Sequence, residues 1–192
     1  KRGRAKDNFL ARFKEAALEA RKPFRTVAEF MPYAATLPPP DRLCGPFYTH
    51  TSGFVAAPGG SGKSMFTLGL AKAMATGEPF AGWKTPKPLS VHIVDCEMAD
   101  ASLFARLRSL GFAGDLSITI DTSGQRDAIG LPRFELGPPE ALQRLMRDAS
   151  QADVLIVDNV SACLLPAPGK DIFSPEAWQQ VFILEQWARQ QG

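Results

Sequence analysis

The sequence predicts an α/β fold: a three-layer α-β-α sandwich built on a mostly parallel sheet. Three observations point there. Strand-like and helix-like patterns alternate along residues 48–192, the order that produces a parallel sheet covered on both faces. Two of the strands, "HIVD" and "VLIVD", are continuous apolar runs, as strands buried on both sides require. Both runs end in an acid, at the carboxyl edge where such sheets open into a ligand crevice.

The elements follow in order. Residues 6–21 read as a helix, with Leu10, Phe13, Ala17 and Leu18 at helical spacing between charges. Pro23 ends it, and "MPYAATLPPPDRLCGPF" reads as an extended, proline-rich connector. The domain boundary falls near residues 38–48, giving a basic leader and connector over 1–47 and a core over 48–192. Gly53–Ala57 reads as a short first strand. Ser64–Thr76 is a helix with Phe66, Leu70 and Met74 on one face and Gly77 as its stop. Ser90–Asp95 is the second strand. Asp100–Leu110 is a helix with Leu103, Leu107 and Leu110 inward, closed by Gly111. Leu116–Ile120 is the third strand, followed by a glycine-containing loop. Pro138–Ser150 is a helix with proline in its first turn. Asp153–Asp158 is the fourth strand. Ser174 caps a last helix, whose apolar face is Trp178, Val181, Phe182 and Trp187.

Composition narrows the function classes. The 192 residues are 45% hydrophobic, enough for a sizeable core, and their 16 glycines and 16 prolines fall short of a low-complexity signature. No apolar run reaches the ~18 residues of a membrane span, so the reading is of a protein without membrane contact. Three cysteines, Cys44, Cys96 and Cys163, stand far apart without a CxxC pair. That spacing argues against a disulfide framework or a zinc site and fits a reducing, cytoplasmic setting. His50 and His92 lack ligand-like spacing and read as structural. The net charge of +2 is unevenly spread: residues 1–25 hold nine Lys/Arg against three Asp/Glu. This leader suits nucleic acid or an acidic neighbour, or is a solvated helical linker.

The chemistry concentrates in Ala57-Pro58-Gly59-Gly60-Ser61-Gly62-Lys63-Ser64. A triphosphate needs many hydrogen-bond donors close together. Glycines let the backbone turn tightly and aim several N–H groups inward, and a helix start adds the positive end of its dipole. The octapeptide fits the permissive Walker A pattern, with Ala57 where the stricter form has Gly. Pro58 to Met65 would bind ATP. Lys63 would reach the β- and γ-phosphates and serve catalysis, and the Ser64 hydroxyl would hold Mg²⁺.

Asp158 ends "ADVLIVD", a Walker B pattern, and would support the same Mg²⁺, partly through water. Glu97 follows the second strand in "VHIVDCEMAD". Hydrolysis needs a group that orients or deprotonates the attacking water, and an acid just beyond a neighbouring strand is placed for it. Asp95 and Asp100 compete for either role, and Glu97 also suits the start of the next helix.

With these residues in place, the chain resembles the RecA-like P-loop ATPases, most closely the RepA-type plasmid replication helicases of the AAA_25 family. Four stretches carry the likeness: "FVAAPGGSGKSMFTLGLAKAMATGEPFAGW", "VHIVDCEMADASLFARLRSLG", "DVLIVDNVSACL" and "SPEAWQQVFILEQWARQQG". The resemblance implies a homo-oligomeric, hexameric ring that hydrolyses ATP with Mg²⁺ and moves on single-stranded DNA. It assigns phosphate and metal to Gly62, Lys63 and Ser64, metal support to Asp158 and water activation to Glu97. The loop from Ser161 to Phe173 would face the pore, with Lys170 a DNA contact; a solvated turn at "PAPGKD" explains that stretch equally. In the family a further strand follows the last helix, between the phosphate-loop strand and the Walker B strand. The resemblance therefore implies a longer parent chain. It also implies weak hydrolysis by these residues alone, since each buried backbone group left unpaired costs ~1–3 kcal/mol.

The alternatives are a RecA- or RadA-type recombination ATPase, a small-molecule kinase, and a nucleotide switch without motor activity. An acid at Glu97 favours hydrolysis over transfer to a metabolite, and no Arg-rich lid is evident in the sequence.

Overall fold

The structure, a computed structural model, describes residues 26–136, 138–164 and 175–191. The helix read over 6–21, Lys170 and Ser174 lie outside these residues. The chain divides into two units, residues 1–39 and residues 40–192.

In the first unit, helix α1 spans Val27–Ala34. It overturns the extended reading of "MPYA". The cause is a capping box that sequence reading missed: the Thr26 side chain accepts from the Glu29 N–H at 3.2 Å, and the Glu29 carboxylate accepts from the Thr26 N–H at 2.9 Å.

The second unit opens with an antiparallel pair, β1 (Arg42–Cys44) and β2 (Phe47–Tyr48), within the stretch read as connector. Then follow α2 (Lys63–Thr76), β3 (Val91–Asp95), α3 (Asp100–Ser109), β4 (Ile118–Thr122), α4 (Ser123–Ala128), α5 (Pro139–Ala149), β5 (Val154–Asp158), α6 (Val160–Cys163) and α7 (Pro175–Gln191). The central sheet is parallel, in the order β4-β3-β5. Every residue of β3 is buried, which is why this strand is an unbroken apolar run apart from His92 and its terminal acid.

Strand alternation sorts the side chains into two cores, one on each face. Val91 and Ile93 of β3 join Ile118, Ile120, Val154 and Ile156 beneath α2 and Leu103 of α3. Val94, Leu155 and Val157 face the opposite way, against Leu142, Leu145 and Ala149 of α5 and Val181 and Leu184 of α7. The three expected layers are present. On α7, Phe182 is 53% exposed and Leu184 takes its place in the core, a correction to the expected apolar face.

Two local expectations fail. The loop expected after the third strand holds α4, because the Thr122 hydroxyl caps it by accepting from the Gln125 N–H at 3.0 Å. Gly53–Ala57 forms no strand and is exposed. A strand exists only where its backbone groups find a ladder. β3 is flanked on both sides already, and among the described residues the outer edge of β5 carries no partner.

His92 sits in β3 with its Nδ1 2.7 Å from the Thr119 hydroxyl. Among the described residues nothing pairs with its Nε2. Burial holds its pKa below the ordinary 6.5; Asp121 and Asp148 oppose this, and Arg126 adds to it. The unfolded chain therefore binds this proton at a higher pH than the folded one, and stability falls as pH drops below 6.5 toward the lowered native value. We expect the melting temperature to fall between about pH 7 and about pH 5.5, and His92→Gln to flatten that segment of the curve. An unchanged slope in the variant would assign the acid sensitivity elsewhere.

Candidate nucleotide site

The loop before α2 is made by its own backbone. The Ser61 N–H donates to the Pro58 carbonyl at 3.3 Å, and Gly60 and Gly62 take φ of 76° and 91°. A Cβ at Gly59, Gly60 or Gly62 would meet nothing within 4 Å. The left-handed backbone at Gly60 and Gly62 is therefore what demands glycine within this chain, and the open space beside the loop admits a ligand to the main chain.

Gly62 occupies the N-cap of α2 without a side-chain capping bond. The first bond of the helix runs from the Phe66 N–H to the Gly62 carbonyl, 2.9 Å. The N–H groups of Lys63, Ser64 and Met65 precede it and are the donors that a helix start presents. Lys63 folds back over the loop: its Nζ donates to the carbonyls of Ala57 at 2.7 Å and Pro58 at 3.0 Å. Amide donors, an ammonium and the half-buried Ser64 hydroxyl are the set a nucleotide's phosphates and their cation call for. These residues fit ATP and Mg²⁺.

Asp158 ends β5 on the same side. The Thr67 hydroxyl, one turn beyond Ser64 on α2, lies 3.5 Å from Asp158 Oδ2 and donates to the Ser64 carbonyl at 3.1 Å. Thr67 was missed in the sequence, although its spacing from Ser64 places both on one helix face.

Asp95 and Asp158 end adjacent strands in register. Asp95 is buried, and its carboxylate accepts from the N–H groups of Glu97 at 3.0 Å and Met98 at 2.7 Å. Burial pushes its pKa up. The two amides work against that, and the carboxylates of Asp158 and Glu97 add to it. Asp100 accepts from the Thr122 hydroxyl at 2.6 Å. Asp95 thus shapes the turn after β3, and Asp100 ties α3 to β4. The exposed Glu97 side chain instead accepts a hydrogen bond from the Asn159 amide.

The cysteine reading needs correction. Cys96 and Cys163 form a disulfide across 67 residues, with their Cα atoms 5.8 Å apart; Cys44 is free and buried. The parallel register explains the pairing. Asp95 opposite Asp158 sets the turns beyond both strands side by side, the Cys96 N–H donates to the Asp158 carbonyl at 2.8 Å, and α6 carries Cys163 next to Cys96. Spacing along the chain carries no trace of that proximity. Beyond the phosphate loop, a part-buried pair ties α4 to β4: the buried Arg126 donates to Asp121, and its guanidinium stands 5.5 Å from the Phe134 ring centre.

Among the described residues, no helix is long and apolar enough to cross a membrane. A comparison with curated proteins finds no match. The family model of the AAA domain, AAA_25, matches residues 16–192, and the chain belongs to that family of P-loop AAA-type ATPases.

Proposed function

We propose that the chain binds ATP with Mg²⁺ at Pro58–Met65, hydrolyses it, and serves as the motor domain of a ring-forming DNA helicase or replication protein of the RepA type. One observation carries the hydrolytic part: the glycine-built loop opens α2, whose Thr67 hydroxyl lies 3.5 Å from Asp158, and Asp158 ends β5 in register with Asp95 at the end of β3, two residues before Glu97. Family membership supports the ATPase reading, and the resemblance of the four motif stretches supports the DNA-directed one.

The residues divide the work by position. The N–H groups of Lys63, Ser64 and Met65 take phosphate oxygens. Lys63 exchanges its two carbonyl partners for the β- and γ-phosphates. Mg²⁺, when bound, neutralises charge on those oxygens, and Ser64 and Asp158 are the residues to hold it. Glu97 orients the attacking water and accepts its proton. In this reading the protein works as a homo-hexameric ring on single-stranded DNA, with Lys170 a contact in the pore.

The test is ATP turnover by the purified protein with and without single-stranded DNA. We expect stimulation of several-fold, as for a motor whose substrate completes its active arrangement. Turnover indifferent to DNA would leave a nucleotide switch and overturn the helicase reading. Stimulation accompanied by filaments, without translocation, would replace it with a recombination role.

A further inference from the structure

We propose that Asn159 is the positioning residue for Glu97, holding that carboxylate toward the nucleotide through its side-chain amide. The proposal rests on the hydrolytic reading above.

The orientation of the Asn159 amide is fixed by its own neighbours. Its Oδ1 accepts from the Ser161 hydroxyl at 2.7 Å and from the Ala162 N–H at 2.7 Å, which caps α6. With the oxygen committed to two donors, only the NH₂ end remains, and it donates to Glu97 Oε2. Turning the amide over would set a donor against the Ala162 N–H and an acceptor against a carboxylate, and only the Ser161 hydroxyl could rotate to suit. The capping of α6 therefore selects the one orientation in which Asn159 can hold Glu97.

The frame around this contact is tied down on both sides. Asp95 fixes the backbone of the Glu97 turn through two N–H groups. The Cys96 N–H holds the Asp158 carbonyl, and the Cys96–Cys163 disulfide joins that turn to α6. Glu97 itself is exposed. An exposed glutamate has several rotamers, and ordering it costs side-chain entropy. A neutral amide donor meets that need without the countercharge that a lysine or arginine would bring, which would compete for the electrons the carboxylate offers to a proton.

The obvious objection is that Asn159 acts only as a helix cap. Asn159→Asp and Asn159→Ser answer it. Both keep a good N-cap side chain for α6, and neither can donate an amide hydrogen to Glu97. We expect either change to lower kcat for ATP about 10- to 100-fold, with KM and the melting temperature unchanged. In a Glu97→Gln background the same changes should cost almost nothing, because the residue acts through Glu97. In a protein that turns over ATP, two results overturn the proposal: an unchanged kcat in both variants, or the same fold-loss with and without Glu97. If the unaltered protein turns over ATP and Glu97→Gln slows it while both Asn159 variants keep full rate, the positioning role alone fails. A protein with no turnover at all overturns this role together with the hydrolytic reading.

Discussion

Lys63→Ala should abolish ATP binding, raising the dissociation constant by about 100-fold or more. The reason is the density of charge at the site. A hydrogen bond to a charged group is worth about 1.5–3 kcal/mol, and the Lys63 ammonium has two phosphates to serve. Its present partners make the comparison clean. They are two loop carbonyls, Ala57 and Pro58, on a segment whose other residues are exposed. Losing those contacts returns both carbonyls to water and leaves the cores on either face of the sheet untouched. The melting temperature should therefore hold while binding disappears. Titration of ATP by calorimetry, alongside a thermal melt, reads both quantities. Lys63→Arg should rescue little, since a planar fork does not replace a compact point charge on a flexible stem. An unchanged affinity in Lys63→Ala would reject the assignment of Pro58–Met65 as a phosphate loop.

What could be read from the sequence was what the chain settles locally. β3 and β5 announced themselves because a strand covered on both faces must be apolar throughout, and α2 because Leu70 and Met74 repeat at helical spacing up to Gly77. The phosphate loop is legible for the same reason: its glycines, lysine and serine are consecutive. Gly53–Ala57 shows the limit. Its apolar residues suit a strand, but a strand is a property of two segments, and the edge of β5 left open among the described residues is not encoded in residues 53–57. The Cys96–Cys163 pairing fails the same way, because the register between β3 and β5 creates it. Other misses were local and avoidable. "TVAE" is a capping box. "DCEM" is an Asp whose carboxylate accepts from N–H groups two and three residues ahead. Reading that turn would have given Asp95 its structural role and narrowed the competition among the three acids around β3.

Glu97→Gln should leave ATP binding intact and slow hydrolysis by about 100-fold or more, the scale of a lost general base. The substitution is nearly isosteric, and its frame stays in place. The turn is set by Asp95 through backbone amides, which the change does not touch. The Asn159 amide can still donate to the carbonyl oxygen of the new glutamine, as it does to Glu97 Oε2. What disappears is the capacity to accept a proton from water at that point. Binding and chemistry therefore separate: KM changes little and kcat falls, which marks an interaction used only in the transition state. Single-turnover measurement with pre-bound ATP reads the chemical step directly. Full turnover by Glu97→Gln would move the role to another acid. Asp95 and Asp100 are poor heirs, since one carboxylate is buried against backbone amides and the other is held by the Thr122 hydroxyl. That would leave Asp158, beside Thr67 on α2, carrying both the metal and the water, and Asp158→Asn would then abolish turnover where Glu97→Gln had not.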